Sequence, residues 1–140
     1  MDNETSYRPT NDDCLMRSVT KPNFCKVCLE GLWLSLLKRV DLIDDFRTTC
    51  TRGHNRTFEV DLVPLAEFRE NPVSSQESYK IIWSKDGEVL PQFADATHID
   101  VSDEVGTYFL DVLFSTEEVR VDRAGLLGAS RSYSVTETCP

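Results

Sequence analysis

At 140 residues the chain has room for one domain of common size, or one small domain with an appendage, and none for a large enzyme. With 40% hydrophobic and 28% charged residues it has the makeup of a chain that folds around a core, not of a disordered one. The formal net charge of -9 falls unevenly, -2 over residues 1–46 and -7 over residues 47–140, which disfavours nonspecific attraction to nucleic acid or an anionic membrane.

The first dozen residues, MDNETSYRPTND, are polar and aperiodic and read as an extended lead-in. No cationic segment followed by an apolar one opens the chain, so no signal peptide is expected within it. Two Asn-x-Thr acceptors at Asn3 and Asn55, with five cysteines, are nonetheless compatible with secretion as part of a longer precursor.

From about Asn23 the pattern becomes helical. Cys25, Cys28, Leu29, Leu32, Leu36, Val40 and Ile43 recur at three- and four-residue steps. Asn23 is available as N-cap, and the helix is expected to end near Val40, because Asp41, Asp44 and Asp45 would oppose its macrodipole. Those three aspartates lack the spacing and glycine of a calcium loop and read as a solvated helix end. Trp33, Leu34 and Leu37 widen the apolar face to about half the circumference, so a partner surface is implied. The stretch GLWLSLL is far too short to span a bilayer.

Residues 47–56 form a polar, glycine-containing joint, after which the hydrophobic period changes to two. TFEVDLV, SYKIIWS, HIDVS, GTYFLDVLF, EEVRVD and RSYSVTE read as strands, and Lys85-Asp86-Gly87-Glu88 as a tight hairpin turn. Six or more short strands with regular turn residues predict a β-sandwich over 57–140. The setting of Trp83 is similar to that of the buried strand-C tryptophan of immunoglobulin-like domains, and the segment Asp103 to Tyr108 resembles their tyrosine corner. In antibody domains a cysteine follows that tyrosine by two residues. Here Leu110 stands there, so apolar packing is expected in place of an intersheet disulfide. Trp83 and Tyr108 are expected in the core.

Three chemistries fit the cysteines. Cys25 and Cys28 with Cys50 and His54 match spacings used by structural zinc, although a helix then lies between the two halves and Cys14 is left over. Cys25-x-x-Cys28 at a helix start could be a redox pair, but no strand is expected before it. A disulfide staple joins Cys14 to Cys25 or Cys28, leaving Cys50 and Cys139 for a second bond to the C-terminus. The spacing favours the staple without fixing the pairing, and an odd count leaves at least one cysteine unpaired within the chain.

The order Cys14-Leu15-Met16-Arg17, then Asn23-Phe24-Cys25-Lys26-Val27-Cys28, then LEGLWLSLLKRV resembles the IgA-peptidase-type secreted zinc metallopeptidases, over roughly residues 7 to 46. In that family such a segment follows the zinc-binding HExxH helix. The resemblance makes Met16 the residue of a tight turn beneath the zinc-binding histidines, binding no metal itself. Read from the residue alone, a lone methionine packs in a core. The chemistry of the family is missing, because the only histidines, His54 and His98, have neither an adjacent glutamate nor a second histidine four residues away. His54 reads as a loop residue and His98 as a strand residue. No nucleophile motif or phosphate-cradling loop occurs either.

The resemblance thus implies a mainly β chain: residues 1–46 as the end of a catalytic domain, 47–56 as a joint, and 57–140 as an immunoglobulin-like sandwich preceded by a loop and one amphipathic helix. No catalytic residue and no cofactor are expected in this chain, zinc belonging to the full-length family. The expected partners are the catalytic half, or a full-length peptidase, and a protein ligand on the sandwich; the expected location is extracellular. The rival expectation is a free-standing, cysteine-stapled immunoglobulin-like adhesion or interaction module.

Overall fold

A computed structural model describes residues 14–16, 18, 20–65 and 77–140. Helix α1 spans Lys26–Leu37. Its N-cap is Cys25, with extended backbone and no side-chain cap, so Asn23 lies outside the helix. The last turn closes through Lys38, Arg39 and Val40, whose N–H groups bond back to Leu34 and Leu36.

Seven strands follow: β1 (Ile43–Thr51), β2 (Asn55–Leu62), β3 (Ser78–Lys85), β4 (Glu88–Val89), β5 (His98–Ser102), β6 (Gly106–Ser115) and β7 (Gly128–Val135). They form two antiparallel sheets, ordered β1-β2-β5 and β4-β3-β6-β7. Lettered A, B, C, C′, E, F and G in chain order, this is ABE against C′CFG, an immunoglobulin-type arrangement. Strands C and F are neighbours, with Trp83 opposite Leu110.

Period-two alternation builds the core between the sheets. On β6 Tyr108, Leu110, Val112 and Phe114 are buried while the residues between them are exposed. Phe58, Trp83 and Leu110 are wholly inaccessible. The ring of Phe58 lies 4.8 Å from Tyr108 and 6.0 Å from both Trp83 and Phe46, centroid to centroid. Leu110, where an antibody domain has a cysteine, is buried opposite Trp83, so apolar packing stands in for the intersheet disulfide. The Trp83 indole N–H donates to the Ala96 carbonyl at 2.9 Å, so the buried tryptophan leaves no orphan donor. Between β3 and β4, Asp86 and Gly87 both adopt positive φ, 50° and 88°, as a type I′ turn requires.

Three expectations from the sequence are corrected. The first concerns the joint over 47–56 and the aspartates ahead of it. Residues 43–62 form the β1–β2 hairpin, which puts Asp44 and Asp45 on a strand and starts the sandwich at Ile43. Apart from the half-buried Thr48 the polar side chains of β1 face solvent, and Arg47 bonds Asp45 on its own strand and Glu59 and Asp61 across the hairpin. The second concerns EEVRVD, which forms no strand. The backbone N–H groups of Arg120 and Val121 both donate to the Glu30 carboxylate of α1, each at 3.0 Å, instead of to a neighbouring strand.

The third concerns the helix stripe. Within α1 the buried residues are Trp33 and Leu37, while Leu32 and Leu36, at the centre of the expected stripe, remain 49% and 42% exposed. Trp33 and Leu37 join Leu42, Leu65, Phe114 and Val119 in a second core at the end of the sandwich. A charged clamp reinforces it, since the Arg120 guanidinium grips Glu30 at 2.7 and 3.1 Å.

Candidate functional site

Just before α1 the chain from Cys14 to Cys25 doubles back on itself. Leu15 N–H donates to Asn23 O at 2.8 Å, closing the loop at its base, and Ser18 N–H donates to Cys14 O at 3.0 Å in a local turn. The closure brings Cys14 against the first turn of the helix, where Cys25 and Cys28 stand three residues apart on one side. The sulfur atoms of Cys14, Cys25 and Cys28 all lie within 4.8 Å of one another. Cys14 and Cys25 are buried and Cys28 is half-buried.

These three are free thiols, which corrects the expected staple between Cys14 and Cys25 or Cys28. The sulfurs of Cys14 and Cys28 are 3.4 Å apart, against about 2.05 Å for a disulfide. Cys14 has two sulfur neighbours, not one dedicated partner. The Cys25 backbone N–H points at the Cys14 sulfur at 3.4 Å and, as the largest influence, holds the Cys14 thiol down to about 7. Cys28 moves the other way, pushed up to about 12 by its hydrogen bonds to Cys14 first and Cys25 second. The first thiolate therefore belongs to the Cys14–Cys28 pair as a unit, with the Cys25 N–H beside it.

The expected zinc set of Cys25, Cys28, Cys50 and His54 is not assembled. Cys50 is bonded to Cys139 across a sequence separation of 89, which consumes its sulfur. His54 lies in the β1–β2 turn at a φ of 60°, its Nδ1 3.3 Å from the Cys139 carbonyl. Among the described residues the Cys14, Cys25 and Cys28 group is the one cluster of three potential ligand atoms. No strand precedes the Cys25-x-x-Cys28 pair in the described part of the chain, so the redox-motif context is absent as well.

Met16 sits in a turn two residues after Cys14 and is 74% exposed, so in this chain it floors nothing and packs in no core. His98 is an exposed strand residue beside Glu59, at 3.0 Å. Of the two glycosylation candidates, Asn55 is exposed at the start of β2, and Asn3 lies outside the described residues. No helix among the described residues is long and apolar enough to cross a membrane.

A second cluster had no counterpart in the sequence reading. Arg56 and Asp103 are both buried and paired at 2.7 Å. The other carboxylate oxygen of Asp103 accepts from the Cys139 backbone N–H, while Arg56 reaches the Glu137 carbonyl and lies 5.6 Å from the Tyr133 ring centroid. Together with the disulfide, these bonds fasten the C-terminal segment to the β1–β2 hairpin. A groove of about 440 Å³ lies against the second core, between the end of α1 and β7, with Asp41 and Arg131 paired across it. No family model, no curated protein and no solved structure matches this chain.

Proposed function

We infer that this chain is the C-terminal part of an IgA-peptidase-type zinc metallopeptidase: a Met-turn-like loop and final helix, followed by an immunoglobulin-like sandwich, with no peptidase activity of its own. One observation carries the reading beyond the ordered match around Cys14, Met16, Cys25 and Cys28. The helix that would rest on a catalytic domain spends only its Trp33 and Leu37 edge on the sandwich, leaving Val27, Leu32 and Leu36 as exposed apolar side chains. The exposed Met16 lies on the same loop-helix unit, and in the parent it would back the missing histidines. Metal-assisted hydrolysis needs ligands and a general base that neither His54 nor His98 can assemble. The sandwich then acts as a rigid appendage through which the peptidase positions itself on a protein ligand, in an extracellular setting to which the Cys50–Cys139 bond is suited.

Sequencing the transcript upstream of Met1 tests this. An in-frame HExxH segment is the expected outcome, and a stop codon directly upstream would overturn it. The rival, a free-standing interaction module, draws on a different observation: the second core and the Glu30–Arg120 clamp join α1 to the sandwich without help from another chain. Under that reading the chain binds its partner equally well with or without upstream sequence.

A further inference from the structure

We propose that Cys14, Cys25 and Cys28 form a three-sulfur site for a thiophilic divalent ion, zinc above all, with water in the fourth position. The proposal is independent of the peptidase reading, since it concerns a site apart from any HExxH. The geometry is close to what an ion would need. Zinc holds thiolates at about 2.3 Å, and tetrahedral angles at that length separate the sulfurs by about 3.8 Å. The Cys14 and Cys28 sulfurs are 3.4 Å apart and no pair lies beyond 4.8 Å, so loading changes each sulfur–sulfur distance by about an ångström or less.

The surroundings also suit thiolate ligands. A backbone N–H aimed at the Cys14 sulfur favours its anionic form. The Leu15 to Asn23 backbone hydrogen bond closes the loop at its base, so the ligands are brought together before any ion arrives. Burial of Cys14 and Cys25, with Cys28 half-open, leaves one side for entry and for the water.

A disulfide uses two sulfurs and leaves the third stranded, whereas an ion uses all three. In the binding step the six-coordinate aquo ion loses five waters, three thiols lose three protons to solvent, and three metal–sulfur bonds form with one water retained. No electron is transferred. The loaded site also shields its sulfurs from the oxidation that joins Cys50 to Cys139 elsewhere in the same chain.

Cobalt(II) serves as a spectroscopic probe for zinc. The full chain, prepared with Cys50–Cys139 intact and the other thiols reduced, should bind one cobalt with a sulfur-to-cobalt charge-transfer band, and one equivalent of zinc should displace it. Single Cys14→Ser, Cys25→Ser and Cys28→Ser changes should each weaken binding tenfold or more, whereas Cys50→Ser with Cys139→Ser should leave it unchanged. Should a serine variant fail to fold, Cys28→His provides the second arm, retaining one equivalent of metal with a charge-transfer band reduced in step with the lost sulfur. Cobalt binding indifferent to all three cysteines would overturn the proposal. So would native protein, isolated without reductant, that carries a Cys14–Cys28 or Cys14–Cys25 disulfide and no zinc.

Discussion

Arg56 sits inside the sandwich because each guanidinium nitrogen finds an acceptor: Nε donates to Asp103, Nη1 to the Tyr133 hydroxyl and Nη2 to the Glu137 carbonyl. Burying such a charge alone would be prohibitive, and the Asp103 carboxylate is stabilised in turn, first by the Cys139 N–H and then by Arg56, so its pKa falls below the ordinary carboxylate range. A depressed folded-state pKa contributes stability that is present above the unfolded value near 4 and is lost as pH falls through the folded value. The melting temperature should therefore drop as pH is lowered from about 5 towards 2, and Asp103→Asn should flatten that dependence while lowering the neutral-pH melting point. Thermal melts across this range check it, and parallel curves for the two proteins would exclude Asp103 as the titrating group. The pair was half legible in the sequence. Arg56 falls in phase with Phe58, Val60 and Leu62, the inward set of TFEVDLV, and a charge on that face signals a buried partner. Its partner, 47 residues away and adjacent to Cys139 only in the fold, carries no local signal.

The helix shows how element-level reading succeeds and then misplaces a seam. Three- and four-residue spacing locates α1 correctly, but a face half a circumference wide does not say which edge will be used. Trp33 wins because its ring meets Phe114 at 5.5 Å and its N–H reaches Glu118, satisfying area and donor together. A twelve-residue helix is marginal alone, so its stability rests on this edge and on the Glu30 clamp. Trp33→Ala should cost about 3 kcal/mol of local stability. Amide exchange should quicken across 29–38 while the β3 and β6 amides keep their protection. Equal loss in β6 would mean that helix and sandwich unfold as one unit. Strand β1 escaped the sequence reading for a related reason. Its residues DDFRTTC alternate only weakly, as an edge strand with a solvated outer face can, and the pairing that defines it comes from β2.

At the scale of the whole molecule, two cores meet at Tyr79 and Ala129, which pack against both, while Val27, Leu32 and Leu36 of α1 remain exposed. Leu32→Lys with Leu36→Lys should change the stability of this chain by no more than about 0.5 kcal/mol, since both sites are exposed. In a polypeptide that also carries an upstream catalytic half, the same pair should lower the melting temperature by several degrees. An unchanged melting point in the longer protein would show that this face is not covered by it. Strands β2, β3, β5, β6 and β7 and the inner core follow from alternation and turn chemistry, whereas the convergence of Cys14 with Cys25 and Cys28 depends on a loop closure that residue spacing does not encode. The bridge from Cys50 to Cys139 has a further effect, on how the module bears force. Tension applied along the backbone from either side crosses at the sulfur atoms and bypasses everything between them. At about 3.5 Å per residue, the separation of 89 residues conceals roughly 300 Å of extensible chain. Only reduction of that bond would release this slack, so the reach of the protein under load is set by the redox state of its surroundings.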